Sequence, residues 1–293
     1  TASDMQAHLA RGSHPASLGI DLLLIDEAQD MTPLHRRFLQ RYAAEHGTVQ
    51  LAVVGDERQV LFTFHLDPEC RADSDMLVHA PAAFAGIADA WRPWSQLRFT
   101  LSFRLTSAMT PFLHTLFSLQ GDAQIQAAGE LRDAAHADGV HYFCADLFKD
   151  GIAELIGKYA KHYGPANTLI ITPNNLERSE PDGKGGSVAV RVIRRLKRVC
   201  QHIHVAYASD GGSGNLRVLT PCQAKGLTVD CVIVLGADSF STWVTQPQWF
   251  VALTRARARI VVFHNCKNDL MVPNHTSLDW LRTTPGAKLC QLA

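Results

Sequence analysis

Leu22-Leu23-Leu24-Ile25-Asp26-Glu27-Ala28-Gln29-Asp30 is an apolar run that breaks off in carboxylates. Four aliphatic residues in succession predict a buried strand, and open α/β sheets bind their ligands outside the carboxyl ends of their strands. A strand that delivers Asp26 and Glu27 at that end fits a nucleotide site. Mg²⁺ is a hard cation that takes oxygen ligands, and a second carboxylate can orient or deprotonate an attacking water. Asp26 is therefore the candidate Mg²⁺ ligand and Glu27 the candidate activator of water. Taken alone, acidic residues after a strand also read as a solvated loop or a helix cap; the full D-E-A-Q-D string is more specific. A second strand, Leu51-Ala52-Val53-Val54, runs into Gly55-Asp56-Glu57-Arg58-Gln59-Val60-Leu61-Phe62-Thr63-Phe64-His65.

Outward from this pair, strand-like runs alternate with helical patterns. The runs are Leu22 to Ile25, Val49 to Val54, Leu97 to Leu101, Thr168 to Thr172, Leu216 to Leu219, Val229 to Leu235 and Ile260 to Phe263. Such alternation predicts the α/β class, with parallel sheets flanked by helices. Thr32-Pro33 starts one helix, which runs to Gly47. A second is expected over Thr106 to Leu119, capped by Thr106 and stopped at Gly121. Arg191 to Val199 forms a third, with Arg191, Arg194, Arg195 and Arg198 on one face and Val192, Leu196 and Val199 on another. Pro173 to Ser187 and Ser209 to Asn215 read as loops.

The 293 residues exceed the ~100–200 of one domain, so two are expected, divided near Arg98 to Arg104 after Trp91 and Trp94. An apolar fraction of 46% and a charged fraction of 19% exclude default disorder. Lys plus Arg and Asp plus Glu both number 28, which gives no global footprint for a polyanion, though a local basic groove remains open. Seven scattered cysteines without a C-x-x-C fit free thiols in a reducing, intracellular compartment, cytoplasmic or nuclear. His202 and His204 read as strand residues. No apolar run reaches the ~18 residues of a membrane span, so no membrane partner is expected.

The two acidic segments resemble motifs II and III of the UvrD/Rep helicases of superfamily 1, which read D-E-x-Q-D and G-D-x-x-Q-x-I-Y. The resemblance implies that Gln59 senses the terminal phosphate and that Phe62 and Phe64 stack on the bases of a single strand. Stacking suits a motor because every base offers a π-face, whatever the sequence. Leu101-Ser102-Phe103-Arg104-Leu105-Thr106 is similar to motif IV, and Gln248-Trp249-Phe250-Val251-Ala252-Leu253-Thr254-Arg255-Ala256-Arg257 to motif VI. Arg104 and Arg255 then become γ-phosphate ligands, a role that suits a planar, permanently charged guanidinium. Val218 to Asp230 resembles motif V, T-x-H-x-x-K-G-L-E-[FW]-D. Thr220, Lys225 and Gly226 match the pattern; Cys222 replaces the histidine that lies near the strand's phosphates, and Thr228 the glutamate that contacts the nucleotide sugar.

The family resemblance implies two RecA-like domains with ATP and Mg²⁺ between them, single-stranded nucleic acid as partner, DNA in preference to RNA, and 3′-to-5′ movement. Residues 1–100 would be the C-terminal part of the first domain, and 101–293 the second, with the family's auxiliary insert absent or vestigial. A phosphate-binding loop, G-x-x-x-x-G-K-[ST], does not occur; Gly183-Lys184 is followed by Gly185, and Arg178 stands where the first glycine belongs. The chain alone is expected not to turn over ATP. The missing elements would come from an upstream portion of a larger protein. The alternative is a non-enzymatic, helicase-derived interaction or scaffolding module in a larger assembly.

Overall fold

The computed structural model describes residues 21–45, 50–61, 95, 97–121, 124–128, 139–147, 151–173, 188–207, 214–235, 246–265, 284–285 and 287–290. Phe62, Phe64, Gly47, Trp91, Trp94 and the interval 174–187 lie outside the described residues, as does most of the loop at 209–215. Packing divides the chain into two compact units, Thr1–Arg98 and Phe99–Ala293.

In the first unit β1 (Leu22–Ile25) and β2 (Gln50–Val53) pair in parallel, Leu22 opposite Gln50 through Ile25 opposite Val53. Parallel neighbours cannot be joined by a tight hairpin, and α1 (Pro33–Glu45) supplies the crossover. Its start is as the sequence predicts: Thr32 Oγ1 accepts the His35 N–H at 3.3 Å, and Pro33 occupies the first position. The expected burial of β1 is only partial, since Leu22 and Leu24 are 56% and 60% exposed. Alternation puts both leucines on one face of the ribbon, and it is Ile25 that turns inward.

The second unit holds a seven-stranded, wholly parallel sheet. Its strands are β5 (Val140–Ala145), β6 (Thr168–Ile171), β7 (Val205–Tyr207), β8 (Leu216–Leu219), β9 (Val229–Leu235), β10 (Ala256–Asn265) and β11 (Ala287–Cys290), in the order β11-β5-β10-β9-β6-β8-β7. Val232, Val234, Ile260 and Val262 face a core built with α2 (Thr110–Leu116) and α5 (Gln246–Leu253). Ile233, Leu235, Val261 and Phe263 face the other, under α3 (Ile152–Tyr163) and α4 (Val188–Val199). Both faces are covered, which is why Cys231 to Leu235 of β9 and Ile260 to Phe263 of β10 read as unbroken apolar runs. The architecture is the mixed α/β class, a large parallel sheet flanked by helices. Among the described residues no helix is long and apolar enough to cross a membrane.

Four local expectations are corrected. The strand expected over Leu97 to Leu101 shrinks to β3 (Leu101–Ser102), because its parallel partner β4 (Gln126–Ala127) offers only two residues. Leu97, Phe99, Leu101 and Phe103 all stand exposed beside it. The helix expected from Thr106 begins at Thr110, since Pro111 has no N–H to donate and belongs in a first turn. His202 and His204 precede β7 instead of lying in it, and Val199 is exposed at the end of α4.

The stop of α2 also differs from the expected Gly121. Ser118 takes the left-handed conformation at φ 51°, while Leu119 N donates to His114 O at 2.9 Å and Ser118 N to Thr115 O at 3.4 Å. These are the two bonds of a Schellman ending, which favours glycine at the left-handed position. Ser118→Gly is expected to raise stability by about 1 kcal/mol, read as a higher urea midpoint at unchanged slope.

Candidate nucleotide and nucleic-acid site

In the first unit the loops after β1 and β2 are joined by backbone and side-chain hydrogen bonds. Ala28 N donates to Val54 O at 3.0 Å, and Asp30 Oδ1 accepts Leu61 N at 3.0 Å. Asp26 and Glu27 are exposed at the tip, and Asp26 Oδ1 accepts the Glu27 N–H at 2.8 Å. Glu27 sits at φ 53°, ψ 38°, a left-handed conformation that disfavours residues bearing a Cβ. Strain of this kind persists where surrounding contacts over-determine the backbone, and it concentrates at functional positions.

Here the over-determining contact is Gln29, which is fully buried. Its Nε2 donates to Glu27 Oε2, and its Oε1 accepts the Asp56 N–H at 3.1 Å. The Asp56 carboxylate accepts Arg58 N at 3.0 Å and Arg58 Nε at 2.9 Å on one oxygen, and Gln59 Nε2 at 3.0 Å on the other. A continuous polar path therefore runs from Glu27 through Gln29 and Asp56 to Gln59. Sequence reading singled out its two ends and passed over its middle; the signal was the Gln two residues after Glu27. The chemistry of the donor set, two exposed carboxylates on adjacent residues, suits a hard cation completed by phosphate and water oxygens. Among the described residues there is no cluster of three or more His, Cys, Asp or Glu that would cage a metal by itself.

In the second unit the two candidate arginines meet on one residue. Arg104 Nη1 donates to Thr254 O at 3.0 Å, and Arg255 Nη2 donates to Thr254 Oγ1 at 3.2 Å. Arg104 is half-buried, and the loss of solvent lowers its pKa from the ordinary guanidinium value. The turn that carries it is held by Ser102 Oγ, which accepts Arg104 N at 3.3 Å and Leu105 N at 3.2 Å. Arg255 is only 4% exposed, and its Nε donates to Val251 O at 2.8 Å. Its guanidinium is thus tied to the helix that precedes it. Thr254 Oγ1 in turn donates to Phe250 O at 2.8 Å, and Arg255 O accepts Val229 N at 3.1 Å, so the α5–β10 turn is fixed on three sides. Arg257 pairs with Asp230 at 2.7 Å, joining the segments that resemble motifs V and VI.

The motif V segment folds into a tight polar turn after β8. Gln223 Oε1 accepts both Thr220 N at 3.0 Å and Thr220 Oγ1 at 3.1 Å, and Gly226 takes φ 79°. Lys225 is partly exposed, and Gly226 and Thr228 are exposed. Cys222 Sγ accepts Gln248 Nε2 at 3.4 Å, so the thiol is engaged by α5. Gln223, Gln248 and Thr254 organise these turns and were not recognised from sequence. The described cysteines, Cys144, Cys200, Cys222, Cys231 and Cys290, form no disulfides, and burial raises the pKa of Cys200 and Cys231.

No family model matches the chain, and no curated protein matches it. Among solved structures it is similar to the crystal structure of the C-terminal domain of a possible DNA helicase from Lactobacillus plantarum WCFS1, at 18% identity and a TM-score of 0.36. The similarity covers 58% of this chain and 90% of that one. At that TM-score it carries no weight in assigning a function.

Proposed function

We propose that the chain is part of an ATP-dependent superfamily 1 helicase or translocase of the UvrD/Rep type. Residues 1–100 supply the C-terminal part of a first RecA-like domain and residues 101–293 a second. The observation that carries this reading is the path Glu27–Gln29–Asp56–Gln59. A motor must make the group that activates water and the group that senses the γ-phosphate answer to one event. A buried amide bonded at both ends provides that connection: Gln29 meets Glu27 on one side and, on the other, the backbone N–H of Asp56, whose carboxylate holds Gln59. In the complete motor Asp26 holds Mg²⁺, Arg104 and Arg255 bind phosphate oxygens, and Phe62 and Phe64 engage the strand. Release of Arg255 from Val251 O and Thr254 would accompany nucleotide binding. Thr220, Cys222, Lys225 and Gly226 face the strand's backbone, and Thr228 stands in for the sugar contact.

One observation favours the second reading, a non-enzymatic module in a larger assembly. Cys222 gives its sulfur to Gln248, and a thiol so engaged is a poor substitute for a histidine at a phosphate.

The test is single-strand binding by the full chain, measured by fluorescence anisotropy on labelled DNA and RNA of about 15 nucleotides, within the site sizes usual for such grooves. Phe62→Ala and Phe64→Ala are each expected to weaken binding by about 5- to 150-fold, the equivalent of ~1–3 kcal/mol per stacked base. Tighter binding to DNA than to RNA is expected. A wild-type chain that ignores both strands, or a double alanine variant that binds as well as wild type, would count against the motor and for the module.

A further inference from the structure

We infer that the outer face of α3 and α4 is a second nucleic-acid surface, one that binds the phosphate backbone of a duplex without reading its sequence. The inference stands apart from the reading above, for it uses neither the nucleotide residues nor the stacking phenylalanines. Both helices cover the same face of the large sheet, packing Ile152, Ile156 and Ala160 and Val192, Ile193 and Leu196 into one core. Their other sides face outward together. Lys158 and Lys161 on α3 and Arg191, Arg194, Lys197 and Arg198 on α4 are all exposed. Only one acidic residue, Glu154, occurs in the two helices, and it is half-buried with its carboxylate 3.8 Å from Arg195. In a chain whose charges balance at 28 of each sign, six exposed cations against one partly exposed acid within the two helices is a strong local departure.

The chemistry of the face narrows its partner. Arg191, Arg194 and Arg198 follow one another at i, i+3 and i+7, a stripe about 10 Å long at 1.5 Å per residue. Duplex DNA carries one charge per ~1.7 Å of axis, so such a stripe lies alongside several phosphates, and guanidinium forks match their oxygens. A flexible single strand must be ordered on binding, and stacking usually offsets that cost. Among the described residues this face has no aromatic platform: Tyr159 and Tyr163 are partly buried on the inner side, and Tyr207 lies under the Lys197 ammonium at 4.6 Å. An anionic membrane would be met by exposed apolar side chains among the cations. On the described surface of both helices the only large one is Val199, at the end of α4.

The experiment measures anisotropy of the full chain on a labelled duplex of about 20 base pairs, with salt varied from about 50 to 200 mM. The variant Arg191→Gln/Arg194→Gln/Arg198→Gln removes the stripe but leaves Arg195 and Lys197 in place. The magnitude of the slope of log K against log salt is expected to fall by about 2–3, since each phosphate contact contributes ~0.9. Affinity for the duplex should drop at least tenfold, while single-strand binding through Phe62 and Phe64 changes by less than twofold. If melting of the triple variant shifts, Lys158→Gln/Lys161→Gln gives an independent reading, with an expected fall of about 2. Unchanged slopes in both variants overturn the inference. So does a wild-type chain that binds phosphatidylserine vesicles but not the duplex. Failure of single-strand binding with the duplex slope intact would strike only the motor reading.

Discussion

Trp249→Ala is expected to lower the stability of the second unit by about 3–5 kcal/mol, the usual cost of emptying an aromatic site in a packed core. Trp249 is fully buried on α5, in the core that also takes Met109, Phe112, Leu113 and the inward residues of β9 and β10. Phe250 beside it stacks edge-on against Phe117, with ring centroids 5.1 Å apart, so little can move in to fill the gap. The indole Nε1 is buried without a hydrogen-bond partner. Trp249→Phe removes that orphaned donor along with part of the ring, and the two effects oppose each other: an unmade buried bond costs about 1–3 kcal/mol. Urea unfolding followed by circular dichroism should therefore place Trp249→Phe close to wild type and Trp249→Ala far below it. Equal losses in both variants would show that the indole N–H does have a partner in solution.

Gln29→Glu is expected to cost about 3–5 kcal/mol at neutral pH, the penalty typical of an uncompensated buried charge. The substitution keeps the shape and still accepts the Asp56 N–H, but it replaces the Nε2 donor that meets Glu27 with an oxygen. Burial and the neighbouring carboxylate both raise the pKa of the new carboxyl above the ~4.3 of an unfolded chain. The protonated folded form is then the stable one. The variant should match wild type below about pH 4 and fall behind as pH rises toward the raised folded value, after which the deficit levels off. Hydrogen exchange across residues 50–61, compared with wild type from about pH 4 to 8, reports it through the Asp56 and Leu61 amides. Gln29→Met should show a smaller, pH-independent loss of about 1–3 kcal/mol. A Gln29→Glu deficit that does not vary with pH would mean that Gln29 does not meet Glu27.

What could be read in advance was whatever a local pattern records. The runs Val229 to Leu235, interrupted only by Asp230, and Ile260 to Phe263 announce strands covered on both faces, and the basic and apolar sides of α4 follow from spacing alone. β5 escaped because His141 and Tyr142 break its apolar character, and what makes them tolerable lies far along the chain. Tyr142 OH bonds His264 Nδ1 at 2.7 Å, and His141 Nε2 accepts Arg259 Nη1 at 2.8 Å. Thr106 looked like a cap, yet Pro111 five residues later decided where α2 begins. At the site the acidic tip was visible, but the work of Gln29 depends on a backbone N–H 27 residues away. The burial of Arg255 was equally hidden, since its partners include a carbonyl and a hydroxyl group of its own turn, which no residue pattern announces.

The exposed series Leu97, Phe99, Leu101 and Phe103 bears on how the chain can be cut. Boundaries between compact units commonly fall in polar, pliant linkers. The division between Arg98 and Phe99 instead falls within this apolar alternation. A fragment expressed from Phe99 would begin with Phe99, Leu101 and Phe103 on an extended segment next to a two-residue ladder. An apolar row on a short-paired strand is a template for pairing with its own copies. Fragment studies of the second unit are better begun past Phe103 or given charged residues at Phe99 and Phe103, so that precipitation of a truncated product is not mistaken for failure of the unit to fold.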